Sequence, residues 1–70
     1  MNVDLDCRGL LCPLPVINLA KTLPTVAIGD TVTVLADDPA AATDIPAWCR
    51  MRSQELVSAA DERYVVRRAG

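Results

Sequence analysis

A cysteine followed by prolines at alternate positions, Cys12-Pro13-Leu14-Pro15, leaves the backbone few geometries. Proline fixes φ near the helical value and carries no N–H, so it fits the first turn of a helix and disrupts later turns. The residues that follow support a helix, because Val16, Ile17, Leu19, Ala20 and Leu23 recur at helical spacing. The stretch therefore predicts a helix from Pro13 with Cys12 as its N-cap. Pro24 disfavours helical backbone before it, so the helix should end near Leu23, with Lys21 in the last turn complementing the dipole.

This placement has a chemical consequence. An N-cap side chain accepts a hydrogen bond from the N–H of N2 or N3. Pro15 stands at N3 and has none, which leaves the Leu14 N–H for the sulfur. The positive end of the helix dipole favours thiolate over thiol. Arg8, four residues upstream, is a candidate source of an added cationic field. On this reading Cys12 is a partly exposed nucleophile on a stiff mount, its pKa below the free-cysteine value of about 8.5. The competing reading is an inert core cysteine that happens to precede a proline-started helix.

Composition narrows the function classes. Seventy residues make one domain, residues 1–70, with a thin core. The chain has no Phe, one Trp and one Tyr, so that core must be aliphatic. A net charge of -2 and the lack of aromatic platforms argue against nucleic-acid binding. No apolar run approaches a membrane span and no signal peptide precedes the first strand, which points to a cytoplasmic protein without a membrane partner. Three cysteines and no histidine fall short of a structural zinc site and do not form a secreted disulfide framework, so no metal is expected.

The rest of the chain reads as short elements. Val3 to Asp6 alternates as a strand, and Cys7 to Leu11 is a connection in which Gly9 permits a sharp turn. Thr25 to Asp30 is a linker. Thr31 to Ala36 is the clearest strand, ended by Asp37-Asp38-Pro39. Pro46 would clash inside a long helix, so the second helix is placed with Asp44 as N-cap and Ala40 to Thr43 as a preceding turn. Leu56 to Ala60 and Tyr64 to Arg68 are strands joined by Asp61-Glu62-Arg63 as a hairpin loop without glycine. The order β-α-β-α-β-β gives an α/β (α+β) two-layer sandwich, a mixed four-stranded sheet with two helices on one face. If the first two strands are parallel, Cys12 and the Asp37-Asp38 pair lie at the same sheet edge. Those aspartates read either as strand termination or as an acidic rim for docking a basic partner. Because nearby carboxylates oppose ionisation of a thiol, they are not its activator.

The run Asp6-Cys7-Arg8-Gly9-Leu10-Leu11-Cys12-Pro13-Leu14-Pro15 resembles the signature of the TusA (SirA-like) family of small sulfur-carrier proteins. Asp37-Asp38-Pro39 and Asp44-Ile45-Pro46-Ala47-Trp48-Cys49 match that family too, in order and spacing along almost the whole chain. The resemblance implies a sulfurtransferase whose Cys12 accepts sulfane sulfur as a persulfide and relays it, supported by Arg8, Gly9, Pro13, Leu14 and Pro15. It implies two protein partners, a donor (a cysteine desulfurase or rhodanese-like protein) and an acceptor, with no cofactor and a monomer when free. The pathways it implies are tRNA thiolation, sulfur oxidation or cofactor sulfuration. Related sequences usually carry a Gly-His or Glu-His pair where this chain has Ser53-Gln54, so any role of that histidine is absent here.

Two other classes stay open on the residues. One is a regulatory or protein-interaction module of the same fold with a redox-sensing Cys12. The other is a thiol oxidoreductase in which Cys7 resolves Cys12; the alternative for Cys7 is a small residue at a strand end. Cys49 reads as a core residue beside Trp48, and Arg67 and Arg68 as a solvated strand end or a docking patch.

Overall fold

Thr31 to Leu35 carries the densest β-branched run of the chain, and it forms an interior strand of the sheet. The computed structural model describes residues 2–70. The elements are β1 (Asn2–Asp6), α1 (Leu14–Thr22), a 3-10 turn (Leu23–Thr25), β2 (Thr31–Leu35), α2 (Ala41–Met51), β3 (Glu55–Ala60) and β4 (Arg63–Arg67). The sheet order is β1-β2-β4-β3, with β1 and β2 parallel and the β2–β4 and β3–β4 pairs antiparallel. This is the mixed four-stranded, two-helix α+β arrangement that the element order predicts.

The core is aliphatic. Leu19 of α1 and Ile45 of α2 are fully buried with Val32 and Val34 of β2 and Val66 of β4, while Tyr64 closes one margin. Each helix presents a narrow stripe: Pro15 and Leu19 from α1, and Ala41, Ile45 and Cys49 at i, i+4 and i+8 from α2. Full burial of a Leu or Ile side chain contributes about 1.5–3 kcal/mol, so a handful of such residues decides the stability of a chain this short.

Strand ends shift by a residue from expectation, and three further boundaries differ for a local reason. α1 begins at Leu14 with Pro13 in the N-cap position, so Cys12 stands one residue outside the cap and Pro15 is N2, not N3. The Cys12–Pro13 peptide is cis. α2 begins at Ala41, one turn earlier than Pro46 suggested, which places Asp44 inside the first helical turn and not at the N-cap. Pro46 removes the i→i−4 donor for the Ala42 carbonyl, and Ala42 is an exposed residue, where that loss costs least. The hairpin loop is shorter than expected: Asp61 and Glu62 form a two-residue turn with φ of 53° and 61°, and Arg63 joins the strand. Positive φ at both central positions is the turn type whose twist matches a hairpin, and here it is adopted without glycine.

The C-terminus of α2 closes with a Schellman arrangement. Gln54 N–H donates to the Cys49 carbonyl at 2.9 Å and Ser53 N–H to the Arg50 carbonyl at 3.3 Å. Ser53 takes φ 55°, the left-handed position that glycine fills without steric cost. Ser53→Gly should therefore raise stability by roughly 0.5–1 kcal/mol, the strain relieved less the added freedom of the unfolded chain. Urea denaturation followed by far-UV circular dichroism checks this; a lower midpoint would contradict it.

Candidate functional site

Parallel pairing of β1 with β2 sets Asp6 opposite Leu35, so both strands deliver their carboxyl ends to one edge of the sheet. Cys7 N–H extends that ladder with a 2.7 Å bond to the Leu35 carbonyl. Beyond it the Cys7–Pro13 loop faces the segment between β2 and α2, and two aspartates of that segment hold the loop. Asp37 Oδ1 accepts the Gly9 N–H at 2.9 Å, where Gly9 adopts φ 83°. Asp38 accepts two backbone donors, Ala40 N–H on Oδ1 at 3.0 Å and Cys12 N–H on Oδ2 at 2.6 Å. These bonds, from Ala40 first and Cys12 second, hold the Asp38 carboxyl below its usual range. The pair thus ends the strand, as one of the two readings expected, and also clamps the loop that carries Cys12.

The sulfur has a different environment from the one its position suggested. Cys12 Sγ donates to Asp44 Oδ2 at 2.6 Å. The hydrogen bond from the thiol to Asp44 raises the Cys12 pKa above its ordinary value, and partial desolvation and the charges of Asp44 and Asp38 push the same way. This overturns the expected depression. Its premises fail individually: Leu14 N–H donates to the Leu11 carbonyl at 2.9 Å and not to the sulfur. Arg8 is committed to Asp6, with Nε to Oδ1 at 2.9 Å and a terminal nitrogen to Oδ2 at 2.8 Å, and the charges acting on the sulfur are carboxylates. The same ion pair holds the Asp6 carboxyl at about 2.

Asp44 is the site residue that sequence reasoning missed. A signal for it exists in the spacing Asp44, Ala47, Trp48, Met51, which is i, i+3, i+4, i+7 on a helix. Assigning Asp44 to the cap removed it from that face. The structure joins these four to Cys12, Pro13 and Val16 in a shallow groove of about 350 Å³. Met51, on its wall, is 76% accessible, and Leu11, the residue before Cys12, is 72% accessible. Apolar side chains that line a groove beside one thiol make a contact surface, unlike scattered single ones.

The remaining candidates separate from this centre. Cys7 is 1% exposed and its sulfur lies 3.7 Å from the Asn18 side-chain amide, so it is a core residue and not an accessible resolving thiol. Cys49 is 2% exposed, as expected of a core position, and burial raises its pKa. Arg67 pairs with Glu55 across the β3–β4 ladder at 3.1 Å. Arg68 is not a free solvated end; it donates to the Pro24 and Val26 carbonyls at 3.2 and 2.7 Å and closes the linker after α1. Gln54 accepts the Ala69 N–H on its side-chain oxygen and donates to the Gly70 carbonyl, and so ties down the end of the described chain.

Cys12, the one exposed cysteine, thus stands just before α1, on a loop held by Asp37 and Asp38 at the edge of the β-α-β-α-β-β sandwich. The family model described as Sulfurtransferase TusA matches residues 3–68, from β1 through β4. The chain belongs to the TusA family. Sulfur transfer, in general terms a relay between partner proteins, is therefore its activity. Among the described residues no helix of this TusA member is long and apolar enough to cross a membrane.

Alkylation of Cys12 by iodoacetamide, followed against pH on the intact protein, should give a midpoint above the free-cysteine value of about 8.5. Cys7 and Cys49 are buried and do not compete in the native state. A midpoint at or below that value would contradict the carboxylate-held thiol.

Proposed function

We propose that the whole chain is one carrier domain that accepts sulfane sulfur on Cys12 as a persulfide and hands it to a second protein. The observation that carries this reading is that Cys12, alone of the three cysteines, is exposed, within an apolar groove open to a partner. In loading, the Cys12 sulfur attacks the terminal sulfur of a donor persulfide, the donor S–S bond breaks, and the donor cysteine leaves as a thiolate. The Cys12 proton is passed to that leaving sulfur, so the exchange is redox-neutral. Delivery repeats the step with an acceptor cysteine attacking the terminal sulfur on Cys12.

The donor fitting this chemistry is a cysteine desulfurase or a rhodanese-like protein, and the setting is the cytoplasm. The acceptor belongs to tRNA thiolation, sulfur oxidation or cofactor sulfuration. Arg8 and Gly9 shape the loop, while Pro13, Leu14 and Pro15 shape the mount. A groove this shallow suits docking of protein surfaces more than capture of a small substrate. Asp37 and Asp38 are half of an acidic margin beside it, with Asp61 and Glu62 across a cleft; that margin is suited to steering a basic partner.

Incubation with a cysteine desulfurase and cysteine, or with a rhodanese and thiosulfate, should add one sulfur atom to the intact protein, removable by dithiothreitol. Peptide mass mapping should place it on Cys12, with Cys7→Ala and Cys49→Ala loaded and Cys12→Ser not. Loading of a different cysteine would overturn the assignment. No loading together with full partner binding by Cys12→Ser would favour a binding module of the same fold.

A further inference from the structure

We propose that Asp44 sets how readily Cys12 gives up its sulfur, by bonding the empty thiol and repelling the loaded persulfide. The proposal rests on the persulfide reading above.

The contact links α2 to the Cys12 loop across 32 residues of sequence, with Sγ and Oδ2 at 2.6 Å. In the empty carrier the S–H donates to the Asp44 carboxylate, a charge-assisted bond. Loading removes that donor, because the sulfur that held the proton becomes the bridging atom of Cys12–S–S. The charge now sits on the terminal sulfur, which ionises more readily than a thiol. The neighbouring walls, Pro13, Val16, Ala47, Trp48 and Met51, contain no cation to offset Asp44. The other charge acting on the site, Asp38, is also a carboxylate and is engaged by the Ala40 and Cys12 amides.

The balance follows from the exchange Cys12–SH + R–S–S⁻ ⇌ Cys12–S–S⁻ + R–SH. One S–S bond breaks in the donor and one forms on Cys12; the Cys12 proton ends on the donor thiol, and no oxidant or reductant is consumed. The left side contains the bond to Asp44, and the right side replaces it with two like charges in one groove. Asp44 therefore biases the carrier toward release and pushes the terminal sulfur away from α2, toward the open side of the groove. A relay needs that bias, since a carrier that held its sulfur tightly would act as a sink.

The test equilibrates the intact protein with glutathione persulfide and glutathione at a fixed ratio and reads the loaded-to-empty ratio by intact mass. Asp44→Asn should raise that ratio roughly three- to fivefold, the scale of an interaction between exposed charges. It should also move the alkylation midpoint of Cys12 downward, whereas Asp44→Glu should stay near the parent in both. Thermal melts report whether the variants fold, and Asp44→Ser serves as a second charge-removing variant if Asp44→Asn does not. An unchanged or lower ratio in folded Asp44→Asn or Asp44→Ser overturns the proposal while leaving the carrier reading intact. Failure of the parent to load from glutathione persulfide or from either protein donor overturns the carrier reading, and the proposal with it; the alkylation arm then still reports whether Asp44 holds the thiol.

Discussion

The parallel register between β1 and β2 is the constraint on which the site depends. Five residue pairs, from Asn2 with Thr31 to Asp6 with Leu35, align the two strand ends. Since β4 holds β2 from the other side, a slip of one residue would turn Val3 and Leu5 of β1 away from the core and carry the Cys7–Pro13 loop out of step with Asp37 and Asp38. The burial that fixes this register is thus also what brings two backbone amides of the Cys7–Pro13 loop onto carboxylates. Fold stability and site geometry share one set of contacts, which is economical in so short a chain.

Electrostatics at the cysteine result from a contest that the helix does not win. A helix N-terminus favours a thiolate by an amount that decays within its first turn. Cys12 lies outside the cap, and a carboxylate in direct contact outweighs the remaining field. Asp38 adds to the negative potential, although its main engagement is with the amides that define the loop. Reactivity at this position therefore reflects tertiary placement of α2 more than the local Cys-Pro-Leu-Pro geometry.

Most of the architecture was legible because periodicity and proline placement are strong local signals. The β2 strand, the α1 stripe and the paired final strands followed from Thr31 to Ala36, from Val16 to Leu23 and from the spacing of Leu56 and Tyr64. The start of α2 was not legible. Pro46 argued for a late start, but the donor it lacks would have served Ala42, an exposed residue, and the helix extends to Ala41. That one-turn error hid Asp44 from the site. The direction of the Cys12 pKa was lost for the same reason, since it depends on a residue 32 positions away whose orientation only the helix register determines. Proximity of Asp37 and Asp38 to the cysteine, in contrast, needed only the parallel sheet.

The hydrogen bond between Cys12 and Asp44 also bears on how the exposed thiol meets oxidants. Hydrogen peroxide and adventitious disulfides react with the thiolate, and a thiol kept protonated near neutral pH presents little of it. The exposed cysteine is thereby shielded without being covered.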